Sequence, residues 1–132
     1  MSVVIDTSAV IAVISNEQSR ARILELTQDE ELLAPPTLRW EVANAFSAMF
    51  KRRQVDLTKA LEAIALFEQI PIRSLDVPLH EIVKYANSLN IYAYDACMIA
   101  CAQVAHAPLI TLDSGLRDAA RRARVNVVEV TP

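Results

Sequence analysis

From Val3 to Ile5 the chain is β-branched and apolar without alternation, the pattern of a short strand covered on both faces, and Ala9 to Ile14 read on as a buried helix. Asp6, Thr7 and Ser8 stand between them, placing one carboxylate and two hydroxyls where the strand hands over to the helix. A charged helix is expected around Arg20 to Gln28, and Pro35-Pro36 breaks the chain before a helix over Leu38 to Arg53. Thr37 is suited to cap that helix, whose apolar stripe is Leu38, Val42, Ala45, Phe46 and Met49. Glu41, three residues after Leu38 and four before Ala45, falls at the edge of the buried face.

Leu57 to Gln69 has the spacing of another amphipathic helix, Ile70 to Leu75 that of a short extended stretch, and Pro78 to Leu89 that of a helix with Pro near its first turn. The segment YDACMIACAQVA is apolar nearly all round, which predicts a central helix with Asp95 in its first turn. PLITLDSGLRDAARRARVNVVEV predicts a strand ending at Asp113, a basic helix, and a last strand over Val127 to Val130. Strands separated by helices imply an α/β fold of three layers, α/β/α, with a central parallel sheet. With no repeat, linker or low-complexity segment, residues 1–132 are expected to form a single domain.

Composition narrows the chemistry. The hydrophobic fraction of 53% supplies a full core with apolar surface left over for a partner. A net charge of -3 and a pI near 5.3 argue against a module that holds nucleic acid by bulk positive charge, so any polyanion contact must be local or metal-assisted. Gly115 is the only glycine, which excludes a dinucleotide fingerprint and a phosphate loop. Cys97 and Cys101 lie four apart in the apolar helix, as two small buried side chains would, and His80 and His106 stand in no zinc-ligand spacing. There is no positively charged leader, and no uncharged apolar stretch reaches the roughly 20 residues of a membrane span. The expectation is a cytoplasmic protein with reduced thiols.

Each acid has a structural explanation when taken alone: Asp6 and Asp95 as helix caps, Asp113 before Ser114-Gly115 as a turn residue, Glu41 as a solvated helix residue. Taken together they suggest a site. Asp6 and Asp113 stand at the carboxyl ends of strands, where doubly wound α/β domains bind ligands, and Glu41 and Asp95 lie near the starts of helices on the same sheet. Clustered carboxylates raise one another's pKa, and a hard divalent cation removes that conflict. Mg2+ or Mn2+ takes carboxylate oxygens and waters without His or Cys and can activate water against a phosphodiester.

The chain resembles the PIN domains, and among them the VapC-type ribonuclease toxins of toxin-antitoxin pairs. The resemblance rests on VIDTSAVIA at the start, EVANAF on the third helix, YDACMIACA on the central helix and LITLDSGLRDAARRARVNVVEV at the end, in that order and spacing. It implies a PIN-like fold and a metal-dependent endoribonuclease whose metal-binding, catalytic acids are Asp6, Glu41, Asp95 and Asp113, supported by the hydroxyls of Thr7, Ser8 and Thr111. Asp118 sits a turn further along and is set aside as a fifth acid. The resemblance also implies a homodimer and a cognate antitoxin of the VapB type. Arg124 departs from the pattern, since many relatives have glycine there, and this bears on the turn before the last strand.

The basic residues leave two readings open. Lys51, Arg52 and Arg53 close one helix and Arg117, Arg121, Arg122 and Arg124 crowd another, where cations complement the helix dipole. Alternatively Arg39, Arg117, Arg121 and Arg122 hold RNA phosphates beside the metal. Tyr92 and Tyr94 could stack an unpaired base, with core packing the expected role. The competing functions are a non-catalytic PIN-like RNA-binding or assembly module, which has no physical reason to keep repelling acids together, and a phosphatase using Asp6 as nucleophile, which usually needs a second Asp where this chain has Ser8.

Overall fold

The apolar opening run forms β1 (Ser2–Ile5), and every residue from Val3 to Ile5 is buried. A computed structural model describes residues 1–130. It places β1 at the centre of a five-stranded sheet of order β3-β2-β1-β4-β5, with every neighbouring pair parallel. The other strands are β2 (Glu31–Ala34), β3 (Ile72–Ser74), β4 (Leu109–Ile110) and β5 (Val127–Val128). β2 has no counterpart among the sequence expectations. Its four residues, ELLA, contain no β-branched side chain and follow an acidic run, so the strand exists through pairing with β1 on one side and β3 on the other. β4 also ends at Ile110 rather than running to Asp113, leaving residues 111 to 113 free to turn into the site.

The helices are α1 (Thr7–Ile14), α2 (Arg20–Thr27), α3 (Leu38–Lys51), α4 (Leu57–Gln69), α5 (Leu79–Leu89), α6 (Ala93–Ala105) and α7 (Ser114–Arg122). α1 packs on α2, α3 and α4, while α6 packs on α5 and against β1 and β4. Right-handed crossovers require this division, because the chain moves outward from β1 to β3 and then returns across the sheet to β4 and β5. The result is a three-layer α/β/α sandwich. α6 is buried from Ala96 to Ala102, as its apolar pattern predicts for a central helix. The strand order reverses between β1 and β4, the position at which open α/β sheets form a crevice beyond their carboxyl ends.

Five helices end on a left-handed residue that is not glycine: Asn16, Arg53, Asn90, His106 and Arg124, with φ between 51° and 61°. Each is followed by an amide that reaches back to a helix carbonyl five residues earlier, as Val125 N does to Ala120 O at 2.9 Å. Arg124, φ 61°, therefore makes the turn that glycine would make with less strain. A non-glycine residue in this region costs about 1–2 kcal/mol, and glycine adds about 0.4–1 kcal/mol of unfolded-state entropy. Arg124→Gly is expected to raise the melting temperature by a few degrees, whereas β-branched Arg124→Val should lower it in the same thermal scans.

Candidate active site

Asp6 lies beyond the last residue of β1, and its backbone N–H donates to Ile110 O at 3.3 Å, so the strand pairing itself fixes where the side chain starts. The side chain is 4% exposed and is the N-cap of α1, with Oδ1 accepting from Ala9 N at 3.0 Å. Thr111 Oγ1 donates to Oδ2 at 2.6 Å, and Ser8 Oγ lies 2.8 and 3.0 Å from Oδ1 and Oδ2. The two hydroxyls are themselves oriented: Ser8 Oγ accepts from Leu112 N at 2.9 Å and Thr111 Oγ1 from Asp113 N at 3.0 Å. Each amide occupies a lone pair and commits the hydroxyl proton to Asp6. The cap and the site are thus one residue.

The other acids approach from both helical layers. Glu41, in the first turn of α3, is half-buried rather than solvated. Thr37 occupies the N-cap position of α3, but its hydroxyl makes no cap bond and donates instead to Glu41 Oε2 at 3.3 Å. Asp95 lies in the first turn of α6, whose N-cap is Tyr92, so Asp95 does not cap that helix. Asp113 caps α7 by accepting from Leu116 N at 3.1 Å. A Cβ at Gly115, the one glycine, would lie 3.3 Å from Asp113 Oδ1, closer than is comfortable, and hydrogen in that position leaves the carboxylate its room.

The four acids feel one another. Burial holds the Asp6 carboxyl above its ordinary value of 3.8, against the pull of Thr111, Ala9 and Ser8, and the charge of Asp113 adds to the rise. Burial likewise raises Glu41 above 4.5, with Asp6 and Asp95 contributing, and raises Asp95 above 3.8, with Asp113 contributing. Among the described residues none of the four is paired with Lys or Arg. Thr7 Oγ1 is close enough to Glu41 to favour its ionised form, yet it is buried and makes no hydrogen bond of normal geometry. Unpaired carboxylates with an orphaned hydroxyl form an all-oxygen donor set that fits a hard cation. No three acids among the described residues stand close enough to hold one ion together. That still suits Mg2+, which is bound through one or two carboxylates and keeps its waters.

The remaining candidates fall outside this ring. Asp118 is exposed on α7 and enters none of the interactions among the acids. Arg39 pairs with Glu68 at 3.7 Å, Arg121 pairs with Glu129, and Arg122 donates to Leu89 O at 3.2 Å at the far end of α7. Arg117, half-buried one turn into α7, has no acid or carbonyl partner among the described residues. Burial pushes the Cys101 thiol up to about 12 and raises Cys97 as well, so neither supplies a thiolate. Tyr92 and Tyr94 are not core residues as expected but are 86% and 60% exposed. Trp40 and Asn44, to which the sequence reading gave no role, line a cleft with Glu41, Thr7 and Tyr94. Their signal was available: both lie off the α3 stripe of Leu38, Val42 and Phe46.

Thr111→Val keeps the shape of the side chain but leaves Asp113 N–H without its acceptor and takes from buried Asp6 Oδ2 its shorter hydrogen bond, with only Ser8 Oγ remaining. A loss of about 2 kcal/mol or more in chemical denaturation is expected, with Thr111→Ser restoring most of it.

The PIN domain family model matches residues 3–122. No curated protein matches at a significant level. Among solved structures, PAE2754 from Pyrobaculum aerophilum superposes with a TM-score of 0.72 at 18% identity, over 98% of this chain and 90% of its own. VapBC2 from Rickettsia felis, solved with a DNA fragment from its promoter, gives 0.66 at 16% identity over 97% and 98% of the two chains. VapC20 from Mycobacterium tuberculosis, described as a toxin that cleaves the sarcin-ricin loop, gives 0.66 at 17% identity over 99% and 100%. These likenesses show the same fold over nearly the whole chain, and by the family model over residues 3–122 the chain belongs to the PIN-domain family.

Proposed function

We propose that the protein is a metal-dependent endoribonuclease, the toxin of a toxin-antitoxin pair, with Asp6, Glu41, Asp95 and Asp113 as its metal-binding acids. The observation that carries the reading is the group of four carboxylates near the β1–β4 switch point, of which Asp6, Glu41 and Asp95 are raised by burial and by neighbouring acids, with no Lys or Arg paired to any of the four among the described residues. A non-catalytic module would gain stability from losing these charges, which favours the enzyme. A bound Mg2+ or Mn2+ would supply a water of lowered pKa and positive charge against the phosphodiester.

The chain's own residues would do the rest. Ser8, Thr111 and the Ala9 amide hold Asp6 in one orientation and favour its ionised form, while Thr37 donates to Glu41 and, with the nearby Thr7 hydroxyl, favours its ionised form. The N-termini of α1, α3, α6 and α7 all carry one of the acids, and their dipoles favour negative charge there, on carboxylate or phosphate alike. Neither histidine serves the crevice: His80 is in α5 and His106 closes α6 at the end opposite Asp95. No imidazole is therefore placed to take a proton from a ribose 2′-hydroxyl. RNA cleaved by this protein should carry 3′-hydroxyl and 5′-phosphate ends, and cleavage should stop in excess chelator. End-group analysis of 5′-labelled RNA checks both, and a 2′,3′-cyclic phosphate would overturn the mechanism.

The partners belong to the same proposal. Two of the similar structures are a toxin-antitoxin complex from Klebsiella pneumoniae and FitAcB from Neisseria gonorrhoeae, at TM-scores of 0.63 and 0.64. In this chain Phe50, Leu57 and Leu61 are exposed along an apolar cleft of about 340 Å³ between α3 and α4, whose lining includes none of the four acids. Exposed apolar surface of this kind is what an antitoxin segment or a second copy of the chain would cover. Among the described residues no helix is long and apolar enough to cross a membrane. Action on cytoplasmic RNA is the corresponding setting.

A further inference from the structure

We infer that the cleft beside Glu41 is a nucleobase pocket, in which Trp40 and Tyr94 stack an unpaired base next to the phosphodiester to be cut and Asn44 reads its edge. This rests on the nuclease reading and adds what selects the cut site. The cleft, about 490 Å³, is lined by Thr7, Trp40, Glu41, Asn44, Ala45 and Tyr94. It joins two exposed aromatic faces to one amide and one of the four acids, the mixture by which small-molecule sites combine apolar area with a few polar groups.

The distribution of aromatics is the main observation. The chain has one Trp, three Tyr and three Phe, and the three most exposed of these are Tyr92 at 86%, Trp40 at 77% and Tyr94 at 60%. All three flank Glu41 and Asp95 in sequence. Single exposed apolar residues are ordinary, but large rings gathered at the rim of an acidic crevice are not demanded by packing. Trp40 and Asn44 are four apart in α3 and so share one helix face, while Tyr94 comes from the first turn of α6 in the opposite layer. A base entering between the layers would meet a ring from α3 and a ring from α6. Stacking is sequence-tolerant because every base has a π-face, and Asn44, with an NH2 group to donate and a carbonyl oxygen to accept, adds preference through hydrogen bonds to a base edge. The apolar cleft between α3 and α4 is a different one: it is lined by Val42, Phe46, Phe50, Leu57 and Leu61 among others and shares no residue with this pocket.

Trp40 is the only tryptophan, so its emission reports on this pocket alone. The test is a titration of the full chain with nucleoside 5′-monophosphates and, separately, with ribose 5-phosphate, in millimolar Mg2+ with excitation at the tryptophan edge. Neither probe contains a bond to be cut. Saturable quenching by the nucleotides and none by ribose 5-phosphate is expected. Tyr94→Ala should weaken nucleotide affinity roughly 5- to 150-fold, with Tyr94→Phe retaining it. On RNA, Trp40→Ala and Tyr94→Ala should lower kcat/KM by a similar factor, and Asn44→Ala should redistribute the cleavage sites. If RNA is cut but Trp40 does not respond to nucleotide, and the aromatic variants cut as wild type does, the pocket is overturned and the nuclease reading stands. If nucleotide quenches Trp40 but no RNA is cut, the pocket stands and the nuclease reading fails. Emission that changes with protein concentration and not with nucleotide would make this rim a protein interface and overturn the inference.

Discussion

Asp95→Asn and Asp6→Asn are expected to abolish RNA cleavage while leaving the metal-free protein as stable as wild type or more so. Asp95 is the cleaner case. It is not the cap of α6, and burial and the charge of Asp113 both disfavour its ionised form. A neutral side chain of the same shape removes that repulsion and removes no cap bond. Asp6 needs more care, since it accepts from Ala9, Ser8 and Thr111. Asn keeps the Oδ1 that caps α1, and Asn is as good a cap as Asp. Its amide would donate to Thr111 Oγ1, whose proton can then turn toward Ser8 Oγ, 3.2 Å away. Were Asp6 only a cap, Asp6→Ala would cost about 1 kcal/mol, Asp6→Asn little, and neither change would touch cleavage. For a metal site, cleavage should fall more than about 100-fold, the upper end of the loss seen when even the outer partners of metal ligands are removed. Thermal melts in chelator beside cleavage assays on the same samples decide between the two. Variants that still cut RNA would refute the four-acid site.

Wild type should gain about 2.7 kcal/mol from Mg2+ or Mn2+ at a hundredfold above the dissociation constant, and the two Asn variants should gain much less. The gain should depend on pH with a definite sign. Asp6, Glu41 and Asp95 have folded pKa values above their ordinary 3.8, 4.5 and 3.8, so between ordinary and raised values the folded state binds more protons than the unfolded one. The contribution of these groups to metal-free stability is therefore favourable at low pH and is lost as pH rises through that window. The metal requires the ionised carboxylates, so its stabilisation should run the other way, absent at the foot of the window and complete above it. Melting curves from pH 4 to 8, with chelator and with Mn2+, measure both slopes. A metal-induced shift of the same size at every pH would show that the cation binds elsewhere.

The fold and the acids were legible in the sequence for separable reasons. β1 and α6 announce themselves because burial on all sides leaves uninterrupted apolar runs, and α4 was bounded to the residue because Leu57–Gln69 repeats its stripe three times. β2 was not legible: ELLA becomes a strand only through neighbours supplied by distant parts of the chain. The acids stand out because carboxylates at strand ends in apolar surroundings are expensive, but their individual surroundings do not. Thr37 has the residue type of a cap and serves Glu41 instead, and Asp6 is at once a cap and a proposed metal ligand. Tyr92 and Tyr94 belong to an apolar segment yet face solvent, since α6 is enclosed only from Ala96 onward.

The central position of β1 also sets when this crevice can come into being. The bond from Thr111 to Asp6 closes a span of 105 residues, and β1 reaches β4 only after α1 to α6 have been made. During synthesis β1, β2 and β3 with their helices can assemble first, leaving one edge of β1 unpaired and Asp6 without two of the groups that orient it. Three of the acids are then present and no crevice joins them. Pairing of so high a contact order is expected to come late, so a chain interrupted before β4 should be inert, and the proposed cutting centre should appear only in the last step of folding.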